Sequence, residues 1–174
     1  MKISVFYEHI EKACEQTKKP LREVLAYVKA CGIDGVEMDY DELAHDSLDI
    51  LKNLQDAGLV ISSIYGFCHL DIDPEEQKCL DVIDKAAKNG CSRVLLVPGF
   101  FNEADAKIFG ECADDWEKTA AFMQSNQAVQ NITAGLRRAV AYAKEKNVIV
   151  TLEDFDSTLS PCSRITALKW FMEQ

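Results

Sequence analysis

One junction recurs along the chain and limits what it can fold into: an amphipathic helix, a Gly or Asn stop, then a short β-branched run. The first instance has Pro20 near a first turn and apolar residues at Leu21, Val24, Leu25 and Val28. It stops at Gly32 and leads into Ile33-Asp34-Gly35-Val36-Glu37-Met38. The second runs from about Ser47 through Leu48, Leu51 and Leu54 to Gly58, ahead of Leu59-Val60-Ile61-Ser62-Ser63-Ile64-Tyr65. The third opens on Asp73-Pro74-Glu75-Glu76, which offers an N-cap, a first-position proline and early acidic residues. It is predicted to continue through Leu80, Ile83 and Ala87 to Gly90, before Arg93-Val94-Leu95-Leu96-Val97. The fourth places Ile132, Leu136, Val140 and Ala143 ahead of Asn147, and the fifth strand is the run Asn147 to Glu153. Ser160-Pro161 is predicted to open a last helix carrying Leu168, Trp170 and Phe171. Glycine and asparagine tolerate the left-handed backbone that ends a helix, so each stop has a mechanical cause.

With a first strand over Met1–Phe6, the order is (βα)5. Strands that alternate with helices build a parallel sheet. The expected architecture is a single α/β domain over residues 1–174, of barrel type but incomplete, with about five of the eight βα units of a closed barrel. A five-stranded, flavodoxin-like doubly wound sheet fits the same element count and is the alternative. Pro98 to Gln124 forms a long insertion between strand four and helix four. Its Phe100, Phe101, Phe109 and Trp116 make it too apolar for a solvated loop, so it either packs as a satellite cluster or covers a pocket.

The net charge of −10 disfavours a nucleic-acid backbone or an anionic membrane as partner. No long apolar stretch reads as a signal peptide or a membrane span. Seven cysteines are scattered with no Cys-x-x-Cys spacing, which predicts reduced, mostly buried thiols in a cytoplasmic protein.

Parity on strand five singles out one carboxylate. Val148, Val150 and Leu152 share one face, while Ile149, Thr151 and Glu153 share the other. In a barrel the second set points inward, toward the mouth at the strand tips. Glu153 is therefore either a ligand or acid/base group, or a salt-bridged rim residue. Asp154 and Asp156 read as loop or capping residues. Glu37 ends strand two in a similar way, with Asp39, Asp41 and Glu42 behind it as an acidic loop. Tyr65 ends strand three, with Cys68 and His69 just beyond, and His9 follows strand one. Strand one leads into Tyr7-Glu8-His9-Ile10 with no glycine-rich phosphate cradle, and neither a Gly-x-Ser-x-Gly elbow nor a His-Glu-x-x-His pair occurs.

Gly35-Val36-Glu37, Ser62-Ser63-Ile64-Tyr65, Leu95-Leu96-Val97-Pro98-Gly99-Phe100 and Leu152-Glu153-Asp154-Phe155-Asp156 together resemble the xylose isomerase-like TIM-barrel superfamily, and within it the sugar phosphate isomerase/epimerase proteins. The resemblance implies one divalent metal (Mn, Mg or Co), held by a Glu from strand five and by an Asp, a His and a Glu from strands six to eight. Glu153 matches the first ligand, and in the epimerase branch it also exchanges a proton beside the sugar carbonyl. Substrate contacts are expected from Tyr65, Glu37 and His69, with a sugar or sugar phosphate as the small-molecule partner. The other three ligands have no counterpart here, so the chain is expected to be the N-terminal part of a longer protein, binding no metal and inactive alone. An open sheet edge and an exposed Leu168–Phe171 end would then favour a homo-oligomer. The alternatives are a non-catalytic, self-associating (βα)5 binding module and, further off, an apurinic-site endonuclease-like phosphodiesterase.

Overall fold

The computed structural model describes residues 3–45 and 47–174, so Met1 and Lys2 of the predicted first strand lie outside the described residues. The strands are β1 (Ser4–Phe6), β2 (Gly35–Asp39), β3 (Val60–Phe67), β4 (Arg93–Val97) and β5 (Ile149–Thr151). The helices are α1 (Tyr7–Thr17), α2 (Leu21–Ala30), α3 (Tyr40–His45), α4 (Ser47–Asp56), α5 (Lys78–Lys88), α6 (Glu103–Cys112), α7 (Trp116–Ser125), α8 (Gln127–Glu145) and α9 (Ile165–Met172).

The five strands are all parallel and lie in the order β1-β2-β3-β4-β5. That order decides between the two architectures. A flavodoxin-like sheet reverses direction after its first crossover and carries helices on both faces. Here every crossover steps the same way, and right-handed crossovers then put all the helices on one side. The fold is an α/β partial barrel, and the doubly wound alternative is set aside.

Alternation along the strands sorts the residues. Val36, Met38, Ile64, Val94 and Leu96 are at most 1% exposed and pack under the helices in one continuous apolar cluster. Their neighbours Phe6, Glu37, Tyr65, Phe67 and Leu95 are only partly buried and lie on the other, open face. The register sets Phe6, Glu37 and Ser63 in one row and Asp39, Tyr65, Leu95 and Thr151 in the next. Cysteine follows expectation: the seven thiols are free, and five of them are buried.

Several boundaries differ from the sequence reading. Tyr7–Thr17 is a helix in its own right, burying Tyr7 and Ile10. Asp73-Pro74-Glu75-Glu76 forms a turn instead of opening a helix. The Asp73 carboxylate accepts from Glu75 N–H at 2.9 Å, Glu76 accepts from His69 N–H at 2.6 Å, and α5 begins only at Lys78. Ser160-Pro161 behaves likewise, with Ser160 Oγ accepting from Cys162 N–H at 3.1 Å and α9 starting at Ile165. In both places the side chain closes a local turn, and the helix waits for the next residues that can pack.

The long insertion folds into α6 and α7. Phe101, Phe109 and Phe122 meet with ring centroids 5.2 to 5.7 Å apart, and they pack into the main apolar core instead of standing apart as a satellite cluster. Helix α7 packs against α9 near the C-terminal end. Trp170 and Phe171 are buried, contrary to the expected exposed terminus, while Val140, Ile165 and Met172 are exposed. Leu48, counted on the apolar face of the second helix, is also exposed.

Candidate active site

In barrels of this kind, loops and side chains at the C-terminal ends of the strands form the mouth. The open face ends there in a cavity of about 290 Å³ that Tyr65 and Glu153 both line. Glu153 stands two residues past the end of β5, on the face predicted by parity, and is exposed. Thr151, one step lower, donates through Oγ1 to Val94 O at 2.9 Å and anchors the strand that delivers Glu153. Tyr65 lies within β3, which runs on to Phe67.

Glu37 and His69 do not line this cavity. β2 extends to Asp39, so Glu37 sits a row deeper, where it accepts from Ser4 Oγ at 2.6 Å. Asp39 takes the place at the strand tip, level with Tyr65. His69 lies in the exposed loop after β3, where its backbone N–H is tied to Glu76. The sequence reading took the end of β2 two residues early and so assigned Asp39 to the loop. Glu8 and His9, delivered by the first turn of α1, complete the rim, with His9 Nε2 3.3 Å from Glu8 Oε1.

The floor is aromatic. Phe6 meets Tyr65 edge to face at 5.5 Å, Tyr65 meets Phe67 at 6.5 Å, and Phe67 meets Phe155 at 5.8 Å. The carboxylates around it set a negative field. The Tyr65 hydroxyl is pushed well above the usual tyrosine range by burial first, and then by Asp39, Glu42, Glu8 and Glu11. Burial, Glu11 and Glu42 likewise raise Tyr7 to about 12.

A divalent cation needs several oxygen or imidazole donors converging on one point. Among the described residues, no three His, Cys, Asp or Glu side chains do so. Glu153 could serve as one ligand, but the donors of this chain do not by themselves fit a metal centre.

A family model described as xylose isomerase-like TIM barrel matches residues 25–171. The chain belongs to this family. Among solved structures, it is similar to a xylose isomerase-like protein from Rhodospirillum rubrum, described as a putative xylose isomerase (19% identity, TM-score 0.57), covering 92% of this chain and 56% of that one. It is also similar to a sugar phosphate isomerase/epimerase from Parabacteroides distasonis (14% identity, TM-score 0.56), covering 99% of this chain and 60% of that one. At such identities the likeness is one of fold. The chain thus spans less than two thirds of the length of either structure. No curated protein matches it. Among the described residues, no helix is long and apolar enough to cross a membrane.

Proposed function

We propose that this xylose isomerase-like chain supplies the first five units of a sugar isomerase or epimerase, with Glu153 as the carboxylate that moves a proton at the carbon beside the substrate carbonyl. The observation that carries this reading is the delivery of Glu153 and Tyr65 to one cavity at the strand tips of a sequential parallel sheet. A carboxylate that accepts this proton leaves an enediolate. Returning the proton to the neighbouring carbon, with a hydroxyl proton passing between the two oxygens, isomerises the sugar. Epimerising the same carbon instead takes a second acid that delivers a proton from the opposite face while Glu153 keeps the one it removed. Tyr65, held in place by two aromatic neighbours, is the hydroxyl that orients the sugar, and Asp39 takes the contact expected of Glu37.

The metal belongs to the complete barrel. Glu153 is one ligand of a set whose other members come from further strand tips, and one carboxylate does not hold a divalent ion against water. The chain by itself is therefore assigned sugar binding without turnover.

The first test is to read the source gene past codon 174. A continuing frame that places an Asp, a His and a Glu at three successive strand ends supports the assignment. An immediate stop codon removes it. In the complete protein, Glu153→Gln is expected to lower exchange of substrate hydrogen with heavy water by about 100-fold or more, the scale of a lost acid/base group. Undiminished exchange in a folded variant refutes the role of Glu153.

One observation favours a second reading, a self-associating binding module. An apolar groove of about 750 Å³ runs between α8, β5 and α9 beside the unpaired edge of β5. A homo-oligomer would cover it, and sedimentation velocity over a range of concentrations distinguishes a dimer from a monomer.

A further inference from the structure

The notable property of the mouth is the combination of an aromatic floor with an anionic rim. Phe6, Tyr65, Phe67 and Phe155 touch in sequence and are all partly exposed, so they form a platform instead of a sealed core. Around them stand Glu8, Asp39 and Glu153, and among the described residues no lysine or arginine lines the cavity. Its one histidine, His9, lies with Nε2 3.3 Å from Glu8 Oε1.

Phe155 also lines an adjoining cavity of about 580 Å³ that contains Arg164. That guanidinium lies 5.1 Å from the Phe109 ring centroid and donates to Gly110 O at 3.2 Å, and Asp154 and Asp156 line the same space. Arg164 therefore does not turn the mouth into an anion site. The negative field reaches the floor as well, since carboxylates on α1, β2 and α3 add to the rise in the Tyr65 hydroxyl.

We infer that the ligand of this mouth is an uncharged sugar, its ring laid on the aromatic platform and its hydroxyls donating to the carboxylates, and that phosphorylated sugars are rejected. The inference rests on the sugar-processing reading above and narrows it. Carboxylates only accept hydrogen bonds, and sugar hydroxyls supply the missing donors. A phosphoryl group brings further acceptors and negative charge, which this rim can only repel.

The test compares D-fructose with D-fructose 6-phosphate on this chain, using calorimetry and saturation-transfer NMR. D-fructose is expected to bind, and its phosphate is expected to bind about tenfold more weakly or worse. Added salt should narrow that gap, because screening weakens the repulsion and leaves the neutral sugar unaffected. Asp39→Asn should narrow it too, and Phe67→Leu should weaken both ligands together. Equal or tighter binding of the phosphate overturns the inference while leaving the sugar reading intact. If neither ligand binds to chain shown to be folded by circular dichroism, both fall.

Discussion

Glu42, on the first turn of α3, has its Oε2 buried without a hydrogen-bond partner. Burial first, then Glu11, Asp39 and Glu8, raise its carboxyl above the ordinary glutamate value. The native state therefore holds this proton more tightly than the unfolded chain does. Stability linked to Glu42 is complete below the unfolded-state pKa and declines as pH rises through the folded one. Glu42→Gln should accordingly raise the melting temperature at neutral pH, by the equivalent of about 1 kcal/mol, and leave it unchanged in mild acid. Thermal denaturation at the two pH values checks this; equal shifts at both would show that charge is not the cause. Glu153 was legible from parity on a short strand. Asp39 was equally open to that argument, being two residues from Glu37 on the same face, but the strand had to be known to reach it. Strand length is set by the partners on either side, which one-dimensional spacing does not display.

At the level of elements, α7 and α8 meet at Asn126, which serves both helices. Its backbone N–H donates to Phe122 O at 2.9 Å to finish α7, and its side chain accepts from Val129 N–H at 3.1 Å to start α8. Asn126→Ala is expected to cost about 1 kcal/mol, seen as a lower urea midpoint, and Asn126→Asp should be close to neutral. The cap survives in the aspartate and is lost in the alanine. A second tie joins α5 to α8: Tyr142 donates to Asp84 at 2.9 Å, and Lys146 sits 2.9 Å from the same carboxylate. The Lys146 hydrogen bond, followed by that of Tyr142, holds the Asp84 carboxyl below its usual range. Asp84 contributes stability above its unfolded pKa, and that contribution is lost as pH falls through the folded value. Asp84→Asn should therefore destabilise at neutral pH by less than about 1 kcal/mol, as partly solvated pairs do, and have no effect in acid. Helix α1 escaped the sequence reading although Tyr7, Ile10, Ala13 and Cys14 mark one face. It follows β1 without a loop, and Phe6 at its N-cap position provides no side-chain cap to announce it.

For the whole molecule, the exposed edge is the feature with consequences. Val140 and Met172 line the groove beside β5 and are 53% and 87% exposed, with Arg137 and Lys144 also in its lining. If self-association covers this groove, Val140→Glu should shift the sedimentation profile toward monomer without altering the circular dichroism spectrum. A variant as associated as the parent would locate the contact elsewhere. Placing a charge in an apolar contact costs several kcal/mol unless it is paired, and the basic residues nearby would offset part of that. The sequence by itself determined the alternation of helix and strand, the stops that separate them, the buried thiols and the face of β5 from which Glu153 emerges. All of these follow from local backbone preference and the period of the apolar residues. Only the tertiary structure decided that the strands run in sequential order, that Asp39 and not Glu37 reaches the mouth, and that His69 stays in its loop. These outcomes depend on strand pairing and on helices competing for one face of the sheet. Contacts of that kind join residues far apart in the chain, and no local pattern records them.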